Sequence, residues 1–385
     1  METQESTIAL AAAKGVDVAR LEGELTAMWA EATGSKSDDE HAGVMRACVL
    51  NLVIYSRSEE DRSEVDALLV EVVERHPCRA IVLVADREAE EPRLEAYVST
   101  RCQLSSKGAR QICGEQITIE AGGPVVDSIA SAVSPLLVPD VPVFLWWKDI
   151  PHYDDKLFER LSAISDRVVI DSAAFDNPHY DMAQLARMLD ARAATLRLSD
   201  LNWERLTSWR SLVAGFWDVA DYRASLRQIE KVIIQYDPPD RAAGEVAPKA
   251  LLAVGWLASR LGWTSVEASA AEVEESGVCF TLADEGRTIE IHLRAAPDVE
   301  GRDGMLRSLT LQAADGNEFH VELRPDGTKL ETCATVGGGR VVGRVLNYEA
   351  RTEGQRLGVE LELLSRDLIY EEAVAAAARF LESIK

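Results

Sequence analysis

The residues best suited to chemistry fall in a repeated tetrapeptide, Pro151-His152-Tyr153-Asp154 and Pro178-His179-Tyr180-Asp181. Each copy follows an apolar run that reads as a buried strand and precedes a helical pattern. In open α/β sheets, ligands bind outside the carboxyl ends of the strands, so both histidines fall where a site would be. With Asp171 and Ser172 close by in sequence, they could form an acid–base or metal-binding constellation. A plainer reading competes, because Pro-x-x-Asp starts helices, with the aspartate as cap or first-turn charge. No nucleophile or third ligand stands nearby, and the helix-start reading is preferred.

Other candidates are weaker. TVGGGRVVGR (335–344) is rich in glycine, but its spacing is neither a dinucleotide fingerprint nor a phosphate loop, and it lies between strands. A hairpin turn is expected there. Asp86, Asp149 and Asp171 end apolar strands, where carboxylates can hold metals but also simply meet water at the sheet's edge. No GxSxG, HExxH or catalytic-cysteine signature occurs. No catalytic residue, metal ligand or cofactor site is expected. Trp203, Trp209 and Trp217 are spaced around a helical region rather than along one stripe, with Arg205 and Arg210 among them. Tryptophan and arginine are enriched where proteins meet, although packing against the sheet would use the same residues.

The elements that must position these residues follow from the rest of the chain. Its 385 residues exceed the usual size of one core, and two domains are expected. It has 41 basic and 65 acidic side chains, a formal charge of -24, which disfavours nucleic acid and anionic membranes as partners. The N-terminus lacks a signal-peptide pattern, and the most apolar stretch, 128–147, is broken by Pro135, Pro139, Asp140 and Pro142. A cytoplasmic protein is expected. Six cysteines are scattered without a CxxC pair, so free thiols are expected, with Cys78, Cys102 and Cys113 the candidates for redox sensing.

A helix is predicted over 6–32, a buried strand over 46–56, a helix over 58–76 and a second buried strand over 76–86. Strands with one exposed face follow at 97–105 and 111–121, then a helix at 126–137. VPVFLWWKD (141–149) is the next strand. Neighbouring residues of a strand point to opposite faces, so Trp146 and Trp147 mark a sheet covered on both sides. Helices at 153–164 and 181–193 flank a strand at 166–174, and 200–218 is helical. This alternation predicts an α/β domain over 1–236, with a mixed, largely parallel sheet covered by helices on both faces. YDPPDRAAGEVAP places a linker at 237–248. Beyond it, a helix (249–263), six alternating strands between 277 and 348, and a last helix (367–384) predict an α+β domain over 249–385 with an antiparallel sheet.

The runs RACVLNLVIYS, HPCRAIVLVAD, CGEQITIEAGG, LLVPDVPVFLWWKD, DRVVIDS, DLNWERLTSWR and LLAVGWLASRLGW, in that order, resemble the OpcA family. PDVPVFLWW and DLNWERLTSWR are the most specific of these, and the likeness spans nearly the whole chain. It implies a non-catalytic subunit that helps glucose-6-phosphate dehydrogenase assemble or reach its active state, as an allosteric activator at the entry to the oxidative pentose phosphate pathway. NADP and glucose 6-phosphate would then belong to the dehydrogenase. His152, Tyr153, Asp171, Ser172, His179, Trp203, Arg205, Trp209 and Arg210 remain the candidates for binding a partner or ligand. The alternative is a small-molecule sensor or enzyme at the strand ends. A sugar phosphate there would depend chiefly on Lys148 and Arg167.

Overall fold

A computed structural model describes residues 16–34, 43–46, 48–57, 62–104, 110–242, 244–265, 272–274, 277–297, 299, 301, 303–348, 351–363 and 365–382. The chain forms two compact units, each discontinuous in sequence. The first comprises Met1–Ile170, Ala193–Ser199 and Arg351–Arg366, and the second Asp171–Arg192, Asp200–Ala350 and Asp367–Lys385.

The first unit is built on β1 (Gly43–Arg46), β2 (Leu50–Ser56), β3 (Cys78–Asp86), β4 (Arg93–Leu104), β5 (Arg110–Gly122), β6 (Val143–Lys148), β7 (Arg167–Ile170) and β8 (Leu198–Asp200). Their spatial order is β1-β5-β3-β2-β6-β7-β8, with β4 hydrogen-bonded antiparallel to β5. The pairs from β1–β5 through β6–β7 are parallel. Counted from β2 without β4, the six strands after β1 follow the 3-2-1-4-5-6 order of doubly wound dinucleotide-binding sheets. Leu52, Val53, Ile54 and Tyr55 are all buried, as a strand covered on both faces requires.

Trp146 and Trp147 are fully buried and pair in register with Ile54 and Tyr55. Trp147 meets Phe158 of helix Lys156–Ala163 edge-on. On the other face, Trp146 lies under Lys148, which reaches Glu64 of helix Arg62–Arg75 and Glu353 of helix Glu353–Glu360. The expected two-sided sheet is what forms.

The second unit carries β9 (Ile229–Tyr236), β10 (Thr264–Ser265), β11 (Glu272–Glu274), β12 (Gly277–Asp284), β13 (Arg287–Ala295), β14 (Leu306–Ala313), β15 (Glu318–Leu323), β16 (Lys329–Val336) and β17 (Gly339–Asn347). Their path is β10-β12-β13-β9-β14-β15-β16-β17, with β11 on β12. Pairing is antiparallel except where β9 meets β13. One face is buried: Val232, Ile234, Phe280 and Phe319 are core, and Phe280 meets Phe380 of helix Leu368–Leu381. That helix packs on helix Pro248–Leu261 at Gly255, where a Cβ would lie 2.1 Å from the Ala373 carbonyl oxygen. The expected hairpin at 335–344 is present, with Gly337 and Gly338 at φ 59° and 79° in its two-residue turn.

Several boundaries differ from the sequence expectation. Residues 237–248 are not a linker between units. They lie inside the second unit, because β9 is a central strand of its sheet rather than part of the α/β domain over 1–236. From Val232 its burial pattern alternates, with Val232, Ile234 and Tyr236 inward, so a period-two signal is present. The helix expected at 126–137 breaks into 3-10 turns Gly123–Ser128 and Ser134–Leu136 around the single turn Ala130–Val133, since Pro135 has no amide hydrogen to continue it. Region 200–218 is β8's last residue followed by Leu201–Arg205, Thr207–Gly215 and a 3-10 turn. Of the predicted first helix, Val18–Gly34 is observed, and 6–15 lie outside the described residues. Among the described residues, no helix is long and apolar enough to cross a membrane.

Candidate functional site

In a sheet of this strand order, the ligand crevice opens where neighbouring connections leave in opposite directions, at the carboxyl ends of β2 and β6. A dinucleotide site needs glycines in the turn after the first strand, so that phosphate can approach the backbone. Here the residues after Tyr55 are Ser56, Arg57, Ser58, Glu59, Glu60 and Asp61, with no glycine and three carboxylates.

Aromatic side chains occupy the strand ends. Tyr55 and Trp147 stack with centroids 3.7 Å apart and planes at 7°. Burial pushes the Tyr55 hydroxyl pKa up, and Arg87 Nε donates to that hydroxyl at 3.4 Å. Arg87 also spans Asp127 and Asp155, each at 3.0 Å, while Arg57 meets Asp149 at 3.1 Å. Beside these lies a cleft of about 780 Å3 whose charged lining is Asp86, Glu91, Glu95 and Glu120 against Arg57 and Arg93. Arg93 is itself bonded to Glu120 and lies 3.5 Å from Glu95. Four carboxylates against two engaged guanidiniums repel a phosphate rather than hold it. Lys148 is paired with Glu64 and Glu353, and the buried Arg167 with Ser199 and the Ser365 carbonyl. The two cations that a sugar phosphate would need are already committed.

His152 and Tyr153 are exposed in the turn that leads into helix Lys156–Ala163. The cap of that helix is Asp155, which accepts from the Leu157 and Phe158 amides. Pro178 opens the next helix, and Asp181 accepts from the Asn177 amide. His179, in the second unit, is tied to residues 245–246. Its amide donates to Glu245 at 2.7 Å, and its Nε2 accepts from the Val246 amide at 2.9 Å. Burial lowers its pKa, which fits a ring nitrogen acting as acceptor. The two histidines thus serve separate units, each with its own neighbours.

The second unit does gather Asp171, Ser172, Trp203, Arg205 and Arg210. Asp200 is buried at its centre. One of its carboxylate oxygens accepts from the Ser172 and Asn202 amides at 3.0 and 2.8 Å, and the other from the Tyr370 hydroxyl at 3.2 Å. The Asn202 amide group donates to the Ser172 hydroxyl at 3.1 Å. Arg205 grips Asp171 with two bonds of 2.6 and 2.7 Å. The Trp203 indole donates to Asp367 at 2.9 Å, and the Arg210 guanidinium lies 3.6 Å from the Trp203 ring centroid. Trp209 is buried. Burial, then the nearby negative charge of Asp171, pushes the Asp200 carboxyl up to about 6.

Chemically, this is a closed polar knot. Its donors and acceptors fix helix Leu201–Arg205 to the start of helix Leu368–Leu381, and the Asp200–Asn202 and Trp203–Asp367 bonds explain the run DLNWERLTSWR. Asp200 and Asp367 were not among the expected residues. Asp200 begins that run as a helix cap, a signal visible in sequence, whereas Asp367 is 164 positions from its partner.

Among the described residues, no three His, Cys, Asp or Glu side chains converge to hold a metal ion. Cys48, Cys78, Cys279 and Cys333 are thiols not joined in disulfides. Burial pushes Cys78 up to about 12, leaving it protonated and unreactive. The side chains of Cys102 and Cys113 lie outside the described residues.

Comparison with known proteins places these features. Residues 70–187 match the family profile described as glucose-6-phosphate dehydrogenase subunit N-terminal domain. Residues 196–374 match the corresponding C-terminal domain. The OpcA protein of Nostoc punctiforme, named for the OxPP cycle, is 30% identical over 317 residues, covering 80% of this chain and 66% of that protein. Its namesake in Synechocystis is also 30% identical, over 80% of this chain and 64% of its own length. The chain therefore spans about two thirds of the length of these relatives. Among solved structures, an aldose-aldose oxidoreductase from Caulobacter crescentus is similar at 9% identity and TM-score 0.47, covering 87% of this chain and 96% of that one. A myo-inositol dehydrogenase from Lactobacillus casei is similar at 11% identity and TM-score 0.43, covering 86% and 93%. On the two profile matches, in order along the chain, and the 30% identity to the cyanobacterial proteins, the chain belongs to the OpcA family.

Proposed function

We propose that this protein is a non-catalytic partner of glucose-6-phosphate dehydrogenase that binds the enzyme and favours its active oligomeric state. The observation that carries this reading is the pair of matches to subunit domains named for that enzyme, over 70–187 and 196–374. The crevice supports it from the other side. The strand order is that of a dinucleotide fold, yet the six residues that follow Tyr55 in sequence include no glycine and Tyr55 stacks on Trp147 at the strand ends. A chain of this kind acts on its client through differential binding. It shifts the client only as far as its affinities for the client's states differ, commonly ~1–3 kcal/mol, or about 5- to 150-fold.

The test mixes the full chain with the dehydrogenase of the same source. The expected result is a larger complex by light scattering and a lower KM for glucose 6-phosphate, both saturating with chain concentration. Unchanged size and unchanged kinetics across that range would reject the reading.

A further inference from the structure

Strand β17 stands bare. All nine of its residues are exposed, and Val341, Val342, Val345 and Leu346 show 52, 57, 50 and 40% of their surface. Among the described residues the strand ends the sheet path and pairs with β16 alone. Soluble proteins seldom leave aliphatic side chains clustered on an open edge unless something covers them. On one face the patch continues inward: Val341 borders a groove of about 190 Å3 with Leu212, Phe216, Val219 and Tyr222.

Two features argue against a second copy of this chain as the cover. The ladder shifts register between Glu331 and Cys333, and the Arg344 amide turns to the Thr332 hydroxyl at 2.7 Å. A bulge and charged residues are the devices that keep strand edges from joining one another. The charge points instead to a different partner. In a chain of net charge -24, β17 carries Arg340 and Arg344 and no carboxylate. Arg344 is 65% exposed, with the open Asp218 beside it at 3.5 Å. An aliphatic centre flanked by arginines fits a partner face that is apolar with carboxylates at its rim.

We infer that β17 and its adjoining groove are the docking surface for such a partner protein, and, resting on the reading above, that this partner is the dehydrogenase. The experiment measures Kd between the full chain and the dehydrogenase at low and high salt. The variants are Val345→Asp, Arg344→Glu and the near-isosteric Val342→Thr, with Val70→Asp on helix Arg62–Arg75 as an exposed control. Circular dichroism checks that each is folded. Val345→Asp and Arg344→Glu should each weaken binding by about tenfold or more, Val342→Thr by less, and Val70→Asp not at all. The Arg344→Glu loss should shrink as salt is raised. If the native chain binds and all three β17 variants bind equally well, the docking surface is wrong while the partner stands. If the native chain does not bind, the partner is wrong and the inference falls with it. If sedimentation shows that the chain alone is a dimer which these variants break, β17 takes a second copy and the inference is overturned.

Discussion

Trp147 lies flat on Tyr55, 3.7 Å between centroids, at the carboxyl ends of two neighbouring parallel strands. In this strand order those ends are where a ligand crevice opens. The pair, with Phe158 at its edge, puts hydrophobic cohesion where an enzyme of this topology would keep space. Trp147→Ala should therefore cost about 3–5 kcal/mol in urea unfolding, as expected for a buried aromatic. Trp147→Phe should cost much less. A loss under 1 kcal/mol for the alanine variant would show that the stack holds little together.

Arg205 and Asp171 form a partly buried bidentate pair. A double-mutant cycle with Arg205→Ala and Asp171→Ala should give a coupling of about 1–2 kcal/mol, below that of a fully buried pair because solvent still reaches both. Arg205→Lys keeps the charge but loses the fork, and should recover less than half of it.

The Asp200 carboxyl, pushed up to about 6, adds a pH dependence with a definite sign. Between about 4 and 6 the folded state holds a proton that the unfolded chain has released. This contribution to stability is full below that window, declines as pH rises through it, and is constant above it. Asp200→Asn keeps an oxygen for the Ser172 and Asn202 amides and should remove that decline. Unfolding curves of both proteins from pH 4 to 7 measure it, and parallel profiles would contradict the assignment.

His179 acts in the opposite sense. Its Nε2 accepts from Val246, and its pKa is lowered, so protonation must break that bond. Its contribution is present above the ordinary histidine range and lost as pH falls through and below about 6.5. The hydrogen-exchange protection factor of the Val246 amide should drop between pH 7 and 5 in the native chain. His179→Gln should flatten that drop.

At Gly255 helices Pro248–Leu261 and Leu368–Leu381 approach too closely for any side chain. Gly255→Ala should destabilise by about 1–3 kcal/mol, despite the better helix propensity of alanine, because the Ala373 carbonyl is backbone and cannot step aside. A melting temperature equal to or above that of the native chain would show that the helices can separate at no cost.

Much of this was legible along the chain. The continuous apolar runs at 50–56, 78–86 and 143–148 specify strands buried on both faces, and adjacent Trp146 and Trp147 can only be met from both sides. These are local properties, set by side-chain period and polarity. Periodicity could not say which strands neighbour which. It therefore could not show that β9 joins β13 and β14, that the units are discontinuous, or that Asp367 meets Trp203. Nor could it show that His152 and His179 serve separate units despite their matching tetrapeptides. Strand order and long-range pairing depend on the closure of chain segments far apart in sequence, and only the folded chain decides which of them meet.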